Sequence, residues 1–435
     1  MRPTGLILVA ILCLIPLLWL PGIAVGIDKV ALASQYFGMV ALVAMAVSQT
    51  IATRWPGVEA VFGPLDKNYK LHKWLGISAL FLTFLHDTID AEMRGLGTET
   101  ALVEAAETAG EISYNGLIIL ILITIATFIP YHLWKWTHRL IGIFFVLAAF
   151  HYLFILKPYS NGDPLGVYMA VICGIGCVAY AYTSAPRRFR PSRAYEITSL
   201  DDEGGAIAVE LAAKGTPLKH QSGQFAFFAF RGAGLSEPHP FTISSAPRDD
   251  GSLRVTVAEL GDYTSRVRRM LAVGQEVAVE GPFGHFGRGN PKTPQVWVGA
   301  GVGVTPFVAL AEALSENSAP VKLVFAMRNR AEAPHLDALE ALAGEKANFS
   351  VDVWESGIKG RLTADTLAAH VGDLSRSRVL FCGPAAMRNA LRDGLARHGV
   401  SRRNFQYELF EIRTGLGLKR FGNWLWEQRQ KRIKA

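Results

Sequence analysis

His72-Lys73-Trp74-Leu75-Gly76-Ile77 is echoed by His138-Arg139-Leu140-Ile141-Gly142-Ile143. In each copy a cation follows the histidine, and a glycine stands four residues on, one helical turn along the same face. Each copy opens an apolar run that ends in a second histidine, His86 in the first and His151 in the second. Ionisable residues inside apolar spans are costly and mark function by default. The first interval, 14 residues, is close to four turns, so His72 and His86 leave one helix face about 21 Å apart along the axis. The second, 13 residues, covers about 20 Å but turns the second ring by roughly 140°, which a tilt, a bend or a π-bulge must recover.

Two imidazoles at each of two levels suit a pair of six-coordinate b-type haems that pass electrons without an open position. His72 pairs with His138 at one level and His86 with His151 at the other. Gly76 and Gly142 leave room for a flat macrocycle, and Lys73 and Arg139 are placed to meet its propionates. His132, at a helix end in a polar loop, reads as structural.

Around these histidines the chain is unlike a soluble domain. Of 81 charged residues, 21 fall in residues 1–186 and 60 in residues 187–435. Six apolar stretches, roughly 6–26, 30–53, 74–90, 113–130, 139–156 and 165–184, each approach the ~20 residues a helix needs to cross a bilayer. The first also reads as a secretory signal, since Arg2 precedes a Leu/Ile run. Lys and Arg collect in the 54–73 loop (Arg54, Lys67, Lys70, Lys73), the 131–139 loop (Lys135, Arg139) and after the last span (Arg187, Arg188, Arg190, Arg193). The opposite side has only Lys29, Arg94 and Lys157, so the N-terminus and the large C-terminal part are expected in the cytoplasm of an inner-membrane protein. The 87–112 loop, with Asp87, Asp90, Glu92, Glu99, Glu104, Glu107 and Glu111, faces outward; it reads equally as a site whose field attracts cations and as a solvated loop of a protein that keeps positive charge inside. Net charge is −1 before residue 187 and +8 after it, with the basic residues scattered; this fits a solvated face near anionic lipid and not a nucleic-acid groove. Four cysteines provide no disulfide framework, and only Cys382 has a polar setting.

From about residue 191 short alternating segments predict a small antiparallel β-barrel, residues 187–290. Its strands are Ala194–Thr198, Ile207–Leu211, Gln224–Ala229, Leu253–Glu259 and Glu276–Glu280. Within it His239, Pro240, Phe241, Thr242 and Ser244 offer an aromatic ring, a hydroxyl and a rigid turn suited to flank an isoalloxazine and reach its N5 edge. Gly261, Thr264 and Ser265 stand at a helix start suited to a pyrophosphate. Residues 291–415 then read as an α/β doubly wound nucleotide-binding domain. Val296–Val298 runs into Gly299-Ala300-Gly301-Val302-Gly303-Val304-Thr305-Pro306, with further strands at Val321–Met327 and Arg378–Phe381. Gly299, Gly301, Gly303, Thr305 and Pro306 are the dinucleotide candidates. Arg328 and Arg330, just past the second strand, suit a 2′-phosphate, with NADPH or NADH as the coenzyme.

These motifs, in this order, resemble the ferric reductase and NADPH oxidase superfamily along nearly the whole chain. The resemblance also rests on Phe381-Cys382-Gly383-Pro384-Ala385-Ala386-Met387 and on Tyr407-Glu408-Leu409-Phe410. It implies a multi-domain fold: a six-helix transmembrane haem-binding bundle (1–186), the antiparallel β-barrel FAD domain and the nucleotide domain, followed by a basic C-terminal tail, 416–435. It further implies electron flow from NAD(P)H through FAD and two haems to an external acceptor. Thr242, Cys382 and Phe410 would be catalytic, with Cys382, Gly383 and Pro384 bordering the nicotinamide and Phe410 covering the flavin. Two features depart from the family: no calcium-binding hand precedes the first helix, and Ala258 and Glu259 stand where a basic residue often precedes the Gly261 turn. Ferric iron or another metal ion is the expected acceptor. An oxidase reducing O₂ to superoxide and a membrane-tethered flavin reductase without haem are the alternatives, separated by an optical spectrum.

Overall fold

The computed structural model describes residues 2–23, 28–89, 96–125, 131–186, 190–232 and 234–408. Asp90, Glu92, Arg94, Arg187, Arg188, Leu409, Phe410 and the 416–435 tail lie outside the described residues. Close contacts separate a helical unit, Met1–Pro186, from a second unit, Arg187–Leu409.

Among the described residues the helical unit has six long helices: α1 (Pro3–Ile23), α2 (Lys29–Ala52), α3 (Leu65–Thr88), α4 (Ala101–Ile125), α5 (Tyr131–Phe154) and α6 (Pro164–Ser184). Among the described residues, all but α3 are long and apolar enough to cross a membrane. The 24 residues of α3 reach about 36 Å, but Asp66, Lys67, Lys70 and Lys73 crowd its first half. Asp28 starts α2 by accepting the Val30 N–H at 2.7 Å, and Pro164 opens α6 where its missing N–H costs nothing. The core forms around α2, whose Met39, Leu42, Val43 and Ala46 meet Phe145, Met169 and Cys173. Ile7, Leu18, Phe81, Ile119, Trp136 and Val178 turn outward instead. An apolar outer face on helices with satisfied backbones is what a lipid environment demands, and this is an integral membrane protein.

Three helices begin earlier than the apolar runs predict. α4 starts at Ala101, so Glu104, Glu107 and Glu111 ride on its first turns and not in an acidic loop. Hydropathy ended the span at the acids, whereas Ala and Glu both favour helix. α3 and α5 likewise start before their histidines, which places Lys67, Lys70, Lys73, Lys135 and Arg139 on helices and not in loops. No π-turn interrupts α5, so a π-bulge does not reconcile its 13-residue spacing.

In the second unit, β1 (Arg193–Glu203), β2 (Ala206–Ala213), β3 (Phe225–Phe230), β4 (His239–Thr242), β5 (Leu253–Ala258) and β6 (Glu276–Phe283) form one antiparallel sheet in the order β4-β3-β6-β1-β2-β5. The bridge Ile243 to Val255 joins its two ends and closes it as a barrel around Tyr195, Phe228, Phe230 and Val255. Next come β7 (Gln295–Ala300), β8 (Val321–Met327), β9 (Phe349–Glu355), β10 (Arg378–Cys382) and β11 (Phe405–Tyr407), all parallel, in the order β11-β10-β7-β8-β9. The chain winds outward from β7 to β9, then returns to the other side of β7 as β10. The switch point, where ligands of such sheets bind, therefore lies between β7 and β10.

Candidate functional site

The helical unit brings its four histidines together as two pairs. The His72 and His138 rings have centroids 5.9 Å apart, inclined at 68°; those of His86 and His151 are 6.4 Å apart, inclined at 64°. α2 runs along α3 and α4 along α5, and each outer helix of these two pairs anchors the histidines of its neighbour. From α2, Ser48 places its carbonyl oxygen 3.0 Å and its hydroxyl 2.7 Å from His72 Nδ1, while Ser34 stands at 2.9 Å and 3.0 Å from His86 Nδ1. From α4, the Ala106 carbonyl lies 2.9 Å from His151 Nδ1, and Thr124 Oγ1 lies 3.2 Å from His138 Nδ1.

A carbonyl only accepts, so Nδ1 carries the proton in His72, His86 and His151. Thr124 commits its hydroxyl proton to the Leu120 carbonyl at 2.8 Å and so accepts from His138 as well. All four rings are thereby Nδ1–H tautomers with a lone pair on Nε2, the arrangement in which a second-shell acceptor orients a metal-ligating imidazole. Two imidazoles that each hold one metal at ~2 Å have centroids about 6 Å apart, as both pairs do. Among the described residues no cluster of three or more His, Cys, Asp or Glu could hold a metal. Two nitrogens per site fit a metal whose remaining ligands belong to a macrocycle.

The glycines expected to make room behave differently. A Cβ on Gly76 would meet nothing within 4 Å, but one on Gly142 would lie 2.0 Å from the Tyr180 ring, so Gly142 serves the packing of α5 on α6. The glycines against the histidines are Gly38, 3.3 Å from the His86 ring, and Gly110, 2.6 Å from His151 Nδ1, each measured from an added Cβ. Both were missed because only the partner helix reveals what they face. Trp134, one turn before His138, stacks on that ring at 5.2 Å.

In the barrel, β4 alternates. Phe241 is half-buried and packs against the edge of the barrel core, on Phe228 and Phe230 at 6.3 and 6.4 Å, while Thr242, which is buried, leaves the strand on the other face with Pro240. His239 stacks on Tyr263 with centroids 3.5 Å apart, and the Tyr263 hydroxyl donates to the Leu235 and Glu237 carbonyls at 3.0 Å. This joins the His239–Ser244 stretch to the helix Asp262–Met270. At that helix start Thr264 Oγ1 accepts from the N–H groups of Leu260 and Gly261 at 2.9 and 3.0 Å, and the Ser265 N–H bonds the Gly261 carbonyl. Ser244 is fully buried and its hydroxyl meets that of Thr256 at 2.9 Å.

At the nucleotide switch point Gly299 pairs with Cys382 across β7 and β10. Gly301 has φ +54° and open space around it, and begins the 3-10 turn Gly301–Val304 that leads into the helix Thr305–Glu312, with Pro306 in its first turn. A Cβ on Gly303 would stand 2.4 Å from the Cys382 carbonyl oxygen, and one on Gly383 2.8 Å from the Ala300 Cβ. Bare backbone here lets the two strand ends close on each other. The polar setting expected for Cys382 is not found: its side chain is fully buried with Phe307 and Leu380, and burial, with Glu408 nearby, pushes its thiol well above the usual range. Pro384 caps the helix Ala385–Leu395. Arg330 is bound to Glu340 at 2.6 Å, whereas Arg328 is exposed just past β8.

A buried polar seam ties barrel to nucleotide lobe. Thr256 Oγ1 meets His335 Nε2 at 2.7 Å, and Glu203 receives the His335 backbone N–H at 2.7 Å and lies 3.2 Å from its Nδ1. Arg254 bonds Glu312 at 2.5 Å and the Ser244 carbonyl at 2.6 Å.

Such a helical unit followed by this two-lobed module defines an integral-membrane protein bearing flavin- and nicotinamide-binding oxidoreductase domains. Family models match in the same order: the ferric reductase like transmembrane component over residues 37–149, an FAD-binding domain over 195–289 and an oxidoreductase NAD-binding domain over 297–393. Three such domains in this order, with these relatives, are consistent with the ferric reductase and NADPH oxidase superfamily. It is similar to respiratory burst oxidase homolog protein E of Arabidopsis thaliana, 26% identical over 42% of this chain and 22% of that protein. It is also similar to the ferredoxin reductase component of the 3-ketosteroid-9-alpha-monooxygenase of Mycobacterium tuberculosis, 30% identical over 39% of this chain and 49% of that one. The chain thus spans about a quarter to a half of the length of these relatives. In fold, flavohemoglobin from Malassezia yamatoensis aligns with a TM-score of 0.51 at 15% identity, over 88% of this chain and 99% of that one.

Proposed function

We propose that the protein carries electrons across the membrane, from NAD(P)H through FAD to two b-type haems and on to an external acceptor, with ferric iron or another metal ion as that acceptor. The observation that carries this reading is the four histidines in two facing pairs, every Nδ1 engaged by a neighbouring helix. His72 with His138 would hold the inner haem and His86 with His151 the outer one; His72 and His86 themselves lie about 21 Å apart along α3. Bound haem supplies one-electron transfer with no open position, and bound FAD splits a hydride into single electrons. Pro240, Phe241, Thr242 and Ser244 would hold the flavin, with Thr242 donating toward N5 and Phe241 packing on the ring system. Gly299, Gly301, Gly303, Thr305 and Pro306 would cradle NAD(P)H, with the Arg328 guanidinium suited to a 2′-phosphate. Phe410 is proposed to cover the flavin, and Gly383 and Pro384 to border the nicotinamide. The Lys and Arg distribution supports a cytoplasmic module.

The test is anaerobic reduction with NADPH in membranes, followed by ferric chelate or O₂ while the haem spectrum is watched. Rapid reoxidation by ferric chelate is expected. Reoxidation by O₂ alone would make the protein an oxidase, and a flavin spectrum without haem bands would overturn the electron path.

A further inference from the structure

α2 supplies no histidine of its own, yet it reaches both levels of the histidine array. Ser34 and Ser48 are 14 residues apart, the same interval that separates His86 and His72 on α3. At each level a single serine offers the Nδ1–H two acceptors, its own carbonyl and its own hydroxyl: 2.9 and 3.0 Å for Ser34 with His86, 3.0 and 2.7 Å for Ser48 with His72. Ser34 also donates its hydroxyl proton to the His86 carbonyl at 2.9 Å, which turns its oxygen lone pair toward Nδ1. Both serine residues are buried. Among the described residues the α5 histidines have a single acceptor each: His138 has the Thr124 hydroxyl and His151 the Ala106 carbonyl.

We infer that Ser34 and Ser48 are positioning residues that set the donor strength of His86 and His72, and through them the reduction potential of whatever metal each pair holds. The inference rests on the haem reading above. An acceptor on Nδ1–H draws the proton away from the ring and raises electron density at Nε2. That stabilises the oxidised metal and lowers the potential. Because each serine addresses one level, the two potentials are set independently by one helix, and a gap between them gives electrons a direction.

The experiment is redox potentiometry on the purified full-length protein, following the haem bands of wild type and of Ser48→Ala, Ser34→Ala and Ser48→Thr. Ser48→Ala keeps the carbonyl and loses the hydroxyl acceptor. The potential of the His72 haem should then rise by about fivefold in the one-electron equilibrium, ~40 mV at ~59 mV per tenfold, with the other unmoved. Ser34→Ala should raise only the other potential, and Ser48→Thr should restore the wild-type value. Unchanged potentials in both alanine variants with haem retained would overturn the inference, as would equal shifts at both levels. Loss of haem in Ser48→Ala together with a wild-type potential in Ser34→Ala would overturn it too. Wild-type protein without haem would instead overturn the reading beneath it.

Discussion

The His151 ring lies directly against Gly110: an added Cβ would stand 2.6 Å from Nδ1, the atom that donates to the Ala106 carbonyl one turn earlier. In an ordinary helix interior Gly→Ala stabilises by about 1 kcal/mol. Here the new methyl must push the ring aside, and overpacking costs roughly 1–3 kcal/mol. Gly110→Ala should therefore lower thermal stability and haem content together. Gly76→Ala, with nothing within 4 Å, should be neutral or stabilising. Haem-to-protein ratios and thermal midpoints of the two variants check the contrast.

Each histidine pair is expected to hold one haem, and losing one ring leaves a single nitrogen ligand. His86→Ala and His72→Ala should each lower the haem-to-flavin ratio from two to about one, removing different haems. The difference spectra of the remaining haems distinguish the levels. A ratio near two in His86→Ala and His151→Ala would refute the outer assignment.

Thr242 is buried on the face of β4 opposite the half-buried Phe241. A hydrogen bond there is worth about 1 kcal/mol of net affinity, so Thr242→Ala should weaken FAD binding only several-fold. The same bond aligns the flavin for hydride transfer, where small displacements cost more. Stopped-flow flavin reduction by NADPH should slow by a larger factor than FAD affinity falls, and an unchanged rate would remove Thr242 from the site.

Much of this architecture was legible in the sequence because its signals are local. Histidines among apolar residues, a glycine turn between strand and helix, and short alternating strands depend on neighbours in the chain. What depends on neighbours in space was not. Nothing near Ser34, Ser48, Gly38 or Gly110 marks them, since their partners sit on another helix. β11 is only three residues long and the His335 seam joins distant segments, so neither carries a local signal. The burial of Cys382 also escaped notice, because the Gly-Pro that follows suggests an exposed turn while β10 itself runs through the sheet centre. The early start of α4 was hidden by acids that a helix accepts readily at its first turns.

Glu203 is held below the ordinary carboxylate range, first by the hydrogen bond with the His335 side chain and further by the His335 backbone N–H and the Arg254 charge, against an opposing effect of burial. A carboxylate whose folded value is depressed stabilises the fold above its unfolded value, about 4.3, and loses that stabilisation as pH falls through the folded value. Glu203→Gln removes this acid-side dependence. Thermal midpoints measured from about pH 7 down to about pH 4 should fall less steeply in the variant than in wild type, starting from a lower value at neutral pH. Parallel curves would show that the seam does not depend on this charge.

Gly301 and Gly303 stand two residues apart in one turn and fail for different reasons. Gly301 has φ +54° and open space, so Gly301→Ala meets only backbone strain, about 1–2 kcal/mol, and leaves the β7 and β10 ends in place. Gly303 is in an ordinary conformation, but its added Cβ would press on the Cys382 carbonyl at 2.4 Å and neither backbone can yield alone. Gly303→Ala should therefore part the two strand ends at the switch point, where the nicotinamide nucleotide is proposed to bind. The expected result is a modest loss of thermal stability in both variants, with the KM for NAD(P)H rising at least tenfold in Gly303→Ala and only a few-fold in Gly301→Ala. Equal KM values at equal stability would place the nucleotide away from this turn.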